Sequence, residues 1–211
     1  MELLKPGYQK IVDEIAGLRW SELNRNELLA VAQAYYYFSV QFCETVEIAC
    51  RFYPGDRQLD ALRDGECNTD NLSPYPGVAE PGEKLNHDEF MRRTLTMSSL
   101  DRNERARVDR LGADYLAKLR RADAETRIMS LPSYEDGGLE KVFSAVLHAR
   151  DWDHPALQAF HHFLAGHIKL DSDPDAGHGS LCRHLVPDDR IIPLWTAFRD
   201  LLAEAAPKLA H

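Results

Sequence analysis

The sequence lacks any run of about eighteen apolar residues, and its opening stretch, MELLKPGYQKIVDEIAG, puts acids where a secretion signal would carry a basic start and an apolar middle. Neither a membrane span nor an export signal is expected, which makes the cytoplasm the expected location. Cysteine is scarce. Cys43, Cys50, Cys67 and Cys182 show neither C-x-x-C spacing nor the density of a disulfide framework, so reduced and mostly buried thiols are expected. Positive charge is in deficit, with 25 Lys and Arg against 34 Asp and Glu for a formal net charge of −9. Nucleic acid and anionic membranes are therefore not expected as partners, since both need a basic face. Internal repeats, low-complexity tracts and alternating strand patterns are also missing, which argues against solenoids, sandwiches and barrels. A chain of 211 residues is long enough for one sizeable core, and residues 1–211 are read as a single domain.

What is there is helical pattern. NRNELLAVAQAYYYFSVQFCETVEIACRF, from Asn24 to Phe52, contains no Gly or Pro and repeats its apolar residues at helical spacing. Pro54-Gly55 ends it, and Asp56 can cap a second helix, DRQLDALRDGEC. NTDNLSPYPGVAEPGE reads as a loop. HDEFMRRTLTMSS opens at His87, and the charged DRNERARVDRLGADYLAKLRRAD follows as a helix with a solvated face. After SLPSYEDGG come LEKVFSAVLHAR, HPALQAFHHFLAGHIKLD with Pro155 in a tolerant first-turn position, and RIIPLWTAFRDLLAEAA. The fold class is all-α, an irregular bundle of seven to eight helices.

One stretch of this pattern carries chemistry. In FHHFLAGHIKLDSDPDAGHGSL, His167 and Asp171 are four apart and share a helix face with Phe160 and Leu164. His178 would return to nearly the same face if the helix ran on, but Pro174 and Gly177 interrupt it. A carboxylate and imidazoles converging beside a core suit iron, manganese or zinc; the plain alternative is a core histidine followed by a solvated acidic turn. His87 stands where Ser, Thr or Asp would be the ordinary cap, with Glu66, Glu80 and Glu83 upstream. Glu135 reads as a carboxylate at the mouth of an apolar helix, where a first-turn acid favouring the dipole is the simpler explanation. Together these residues make the ligand count of a carboxylate-bridged dimetal site.

The order Glu…His…Glu…His-x3-Asp…His resembles the heme-oxygenase-like diiron oxidases and oxygenases. His87 and His167 are eighty apart, and Glu135 stands about thirty before His167. FLAGHIKLDSDPDAGHGSL is similar to the last core helix of that family, an HIxLD-type sequence followed by a third histidine. The resemblance spans roughly residues 30–185, and its specificity rests on that final motif. It implies a single heme-oxygenase-like helical domain, with His167, Asp171 and His178 as the C-terminal ligand group, His87 as the earlier histidine and Glu135 as the mid-chain carboxylate. Glu66 fills the remaining glutamate position, with Glu80 as its rival, and Glu47 or Glu44 would fit the extra carboxylate that some members carry on the first long helix. The sequence departs from the family in two places. SDPDAG puts six residues between Asp171 and His178 where two or three are usual, so either the helix is interrupted at the site or His178 is not a ligand, with Asp173 and Asp175 as substitutes. The loop between Glu66 and His87 is also long.

The resemblance implies two Fe(II)/Fe(III) ions per chain, O2 as co-substrate, an electron donor, and oxidation of a small-molecule amine, amino acid or fatty acid by N-oxygenation, desaturation or oxidative C–C cleavage. It leaves room for a homodimer. Tyr35, Tyr36, Tyr37 and Trp195 are candidates for pocket lining or redox-active aromatics, with core packing as the simpler role. Arg92 and Arg93 are candidates for a substrate carboxylate clamp. A haem-binding reading fails for want of a histidine on the first helix. A TenA-like thiol-dependent hydrolase would need a nucleophile, for which Cys43-Glu47-Cys50 is the local candidate, and a non-enzymatic helical small-molecule binding protein is the third reading.

Overall fold

A computed structural model describes residues 7–171 and 177–210, with the side chain of Asp171 outside that description. The described chain is all-helical. Ten α-helices run as α1 (Gly7–Ala16), α2 (Arg25–Phe52), α3 (Arg57–Glu66), α4 (His87–Thr96), α5 (Arg102–Leu119), α6 (Ala124–Glu135), α7 (Gly138–Val146), α8 (Pro155–Asp171), α9 (His178–Cys182) and α10 (Ile192–Ala205). The count exceeds the seven to eight expected, and α1, α6 and the five-residue α9 are the helices that the sequence pattern does not announce. Isolated bridges are the only extended pairings among the described residues. Among the described residues no helix is long and apolar enough to cross a membrane.

Helix α2 is the axis of the fold and touches α3, α4, α5, α6, α8 and α10. It starts in a full capping box: the Asn24 side chain accepts from the Glu27 amide at 3.0 Å, and the Glu27 carboxylate accepts from the Asn24 amide at 2.9 Å. Its inner face buries Leu28, Val31, Tyr35, Phe38, Phe42 and Val46. Around Tyr35 the rings of Phe38, Phe143, Phe160 and Phe163 lie with centroids 5.5 to 5.6 Å away, the spacing of edge and tilted aromatic packing. Trp195 seals the far side of this core by donating to Ser133 Oγ at 2.9 Å. Asp56, Asp101 and Asp123 cap α3, α5 and α6 in the same local manner as Asn24 caps α2.

Two departures from the expected pattern bear on function. SLPSYEDGG is largely helix: Asp123 starts α6 and the helix runs through Pro132 to Glu135. Pro132 lies in the last turn, where the hydroxyls of Ser130 and Ser133 donate back to the carbonyls of Arg127 and Ser130, both at 2.6 Å. Glu135 is thus the last residue of a helix and not the first-turn acid of the next one. The long loop between α3 and α4 is closed at its base. Thr69 and Leu85 exchange backbone hydrogen bonds at 3.0 and 2.8 Å, and the Asn68 amide donates to Asn86 Oδ1 at 2.9 Å. The end of α3 and the start of α4 are therefore neighbours despite the intervening residues.

Candidate metal centre

Five of the six residues expected as ligands meet in one place, and four of them stand at helix ends. Glu66 closes α3, His87 opens α4, Glu135 closes α6, His178 opens α9, and His167 lies within α8. All five are buried, with exposures of 2 to 5%. They form two groups that share Glu66: Glu66, His87 and His167 in one, and Glu66, Glu135 and His178 in the other, with the donor atoms of each group within 4.8 Å of one another. The two oxygens of Glu66 divide between the groups, Oε2 lying 2.7 Å from His87 Nδ1 and Oε1 lying 2.9 Å from His178 Nδ1. Glu135 Oε2 is 3.4 Å from the same His178 nitrogen.

Helix polarity sharpens the demand for positive charge. The C-terminal end of a helix carries partial negative charge, yet α3 and α6 each place a buried carboxylate there. His87 sits at the positive end of α4, where a carboxylate or hydroxyl is the ordinary complement. A fold selected for stability alone would reverse all three placements. Two carboxylates in an apolar interior are costly unless something cationic compensates them.

The hydrogen-bond partners of the two imidazoles define which of their nitrogens face the cluster. His167 Nδ1 lies 2.9 Å from the Phe163 carbonyl, which can only accept, so Nδ1 carries the proton and Nε2 presents a lone pair. Asn71 donates through Nδ2 to the Gly65 carbonyl at 2.8 Å, which fixes its Oδ1 toward His87 Nε2 at 3.0 Å. His87 therefore donates from Nε2, and its Nδ1 turns inward, 2.9 Å from His167 Nε2. Two nitrogen lone pairs and a carboxylate oxygen thus converge with no hydrogen of their own between them. A divalent metal would close this gap. Burial, with the charge of His87 second, pushes the His167 imidazole down to about 3, so it stays neutral and able to ligate at physiological pH. Burial alone would raise the Glu66 carboxyl, but His87 and His178 outweigh it and hold Glu66 well below the usual carboxylate range. The donor set fits a hard or borderline divalent metal, with nitrogen and oxygen ligands and no thiolate among the five.

Beside the cluster lies a cavity of about 10 Å³ walled by Tyr35, Phe38, Ser39, Phe42, Cys43 and Phe163. That is room for one water-sized molecule. Tyr35 therefore combines a core role with a place on the cavity wall.

The remaining sequence candidates lie elsewhere. Glu44 pairs with Arg120 and, at 3.2 Å, with Arg127. Glu47 and Glu80 are exposed. Trp195 is in the core away from the cavity, and Tyr37 donates to Asp109 at 2.9 Å. Arg92 and Arg93 bind Glu89, and Arg93 also binds Glu83 at 2.8 Å, so they pair with neighbouring acids and are not placed as a clamp at the cluster. Asp171 ends α8 one turn beyond His167, but its side chain, like Asp173 and Asp175, lies outside the described residues.

Sequence reasoning missed Asn71. It lies in a segment legible only as loop, and no spacing ties it to His87; the signal appears only once the loop base is seen to close. Asn71→Ala removes the acceptor that holds the His87 tautomer and should weaken metal binding about 10- to 100-fold. Asn71→Asp, which keeps an acceptor toward Nε2, should recover most of the loss in a Co(II) titration. An unchanged affinity in Asn71→Ala would show that the tautomer is set by other means. Compared with family models, curated proteins and solved structures, this chain matches none.

Proposed function

We propose that this chain is an O2-dependent non-haem dimetal oxidoreductase of the heme-oxygenase-like type, with iron as its metal and a small organic molecule as its substrate. The observation that carries the reading is Glu66, whose two carboxylate oxygens each face a different histidine-containing ligand group. A carboxylate so placed spans two metal positions, and buried sites assembled from glutamates and histidines on facing helices are a recurrent way for helical bundles to hold two ions. Two Fe(II) ions held there would supply the electrons and open coordination positions that O2 reduction requires. The chain's own part is to hold and shield. His87 and His167 offer neutral lone pairs, Glu66 and Glu135 offer negative charge, and the rings of Phe38, Phe42 and Phe163 keep bulk water out of the adjoining cavity. An external electron donor completes the proposal.

The thiol-hydrolase alternative gains no support from the thiols. A hydrogen bond with Cys67, and then burial, raise Cys43 well above its ordinary value, which keeps it protonated and poor as a nucleophile. Burial raises Cys50 as well.

The test is anaerobic Fe(II) titration of the metal-free protein with proton release followed in parallel, then exposure to O2 with absorption followed through the visible range. Expected are about two iron ions per chain, protons released on binding and a transient visible band after O2, with one of the two ions and the visible band lost in a folded His167→Ala variant, whose second group of Glu66, Glu135 and His178 remains. No binding above background, with His167→Ala indistinguishable from the parent, would overturn the reading.

A further inference from the structure

The cavity at the cluster holds one water-sized molecule, so an organic substrate must be held elsewhere and reach in. On the outer side of α2 lies a cleft of about 500 Å³, within the ordinary range for small-molecule sites. One stripe of α2 forms its floor, including Val40, Cys43, Glu47 and Ile48, at the i, i+3, i+7, i+8 spacing of a single helix face. Cys67, at the end of α3, and Asp88, in the first turn of α4, form its wall. Cys67 and Asp88 directly follow Glu66 and His87 in the chain, so the wall of the cleft is built by the same two helix ends that present the ligands.

Cys43 is common to the cleft and the inner cavity. It is 8% exposed and lies one turn of α2 from Ser39 on the cavity wall. The two spaces are thus partitioned by this small side chain.

The charges lining the cleft are unequal. Glu44 is occupied by Arg120 and Arg127. Glu47 and Asp88 have no Lys or Arg ion pair among the described residues, and Asp88 Oδ1 is buried with no hydrogen-bond partner there. Against these two carboxylates stands one guanidinium, Arg51, whose Nε is already given to the Glu47 carbonyl at 3.2 Å. Val40 and Ile48 add apolar surface between the acids.

We propose that this cleft is the substrate site of the chain, that its occupant is a small cationic amine with an apolar body, and that the occupant reaches the cluster past the Cys43 side chain. The ammonium lies against Glu47 and Asp88, and the apolar body lies over Val40 and Ile48. This proposal rests on the dimetal reading for its chemistry, but binding in the cleft does not require metal.

Thiol labelling reads it directly. The protein is alkylated with iodoacetamide at neutral pH, where hexylamine is protonated, in the presence of hexylamine, hexanoate or neither, and each cysteine is quantified by mass spectrometry. Hexylamine should slow modification of Cys67 several-fold and leave Cys50, which is outside the cleft lining, unchanged. Hexanoate should give no protection. Glu47→Lys should erase the protection by hexylamine while leaving Co(II) binding intact, since Glu47 is exposed and belongs to neither ligand group. Equal protection by hexanoate, no protection by hexylamine, or protection that survives Glu47→Lys would each overturn the proposal. A Co(II) titration of the same preparation separates the two readings: metal bound without amine protection removes the substrate site alone, and protection without metal binding removes the dimetal reading alone.

Discussion

Glu66→Gln is expected to abolish tight metal binding at both positions at once, a loss well beyond the roughly 10- to 100-fold that accompanies removal of a residue supporting a ligand. The reason is geometric. One oxygen of Glu66 serves the group containing His87 and His167, and the other serves the group containing Glu135 and His178. Glutamine keeps the shape but loses the charge, and its amide nitrogen cannot ligate while it points inward. Substitution of a ligand confined to one group, such as His167, removes less, because Glu66, Glu135 and His178 remain together. The measurement is Co(II) or Fe(II) titration of the parent and both variants, with thermal unfolding recorded with and without metal. A metal that binds only the folded state raises the unfolding temperature by mass action. That increment should vanish in Glu66→Gln while the metal-free protein still unfolds cooperatively. If Glu66→Gln instead kept one full-affinity position, Glu66 would belong to one metal only and the two-ion arrangement would fail.

The parts of this site that sequence could reveal are those governed by short-range rules. His167 is legible because α8 keeps a regular apolar face into which a histidine intrudes, and Phe160 and Leu164 on that face are indeed buried. His87 is legible because it occupies a helix start that Ser, Thr or Asp would ordinarily fill. The long helix α2 announces itself through its capping box and the absence of Gly or Pro until Pro54. Glu135 was identified as a candidate, but with the wrong local setting. Pro132 and the following Asp-Gly-Gly read as a break, whereas the break comes only after Glu135. Reading Glu135 as an acid at a favourable helix start concealed its most informative property, a buried carboxylate at an unfavourable helix end.

Long-range closure was less legible. The loop from Cys67 to Asn86 separates Glu66 from His87 in sequence, and the Thr69–Leu85 pairing, the Asn68–Asn86 contact and the Asn71 bridge from Gly65 to His87 bring them back together. The six residues between Asp171 and His178 left open whether the last histidine could reach the cluster. It does, because a separate short helix begins at His178 and delivers its ring to Glu66. Asn71 and Gly65 carry no recognisable spacing at all. Their roles exist only through contacts with residues sixteen positions away in the first case and more than a hundred in the second.

On the dimetal reading proposed above, Gly65→Ala should lower the metal bound from about two ions per chain to about one. Gly65 lies within α3, immediately before Glu66, and a Cβ built there would stand 2.6 Å from His178 Nε2. No ordinary contact is that short, so the imidazole must move. Local helix energetics point the other way: alanine is favoured over glycine inside a helix by about 1 kcal/mol, so α3 itself should not weaken. The predicted damage is therefore confined to the group that contains His178, while Glu66, His87 and His167 keep their arrangement on α3, α4 and α8. Two readouts check this together. Metal titration should show one position retained near parental affinity and one weakened by at least about tenfold, and urea unfolding of the metal-free variant should show stability equal to the parent or higher. Retention of both positions would mean that His178 is not a ligand. Loss of both would mean that the methyl group displaces Glu66 as well, and the bridging carboxylate would then depend on the bare backbone edge at Gly65 as much as on its own helix.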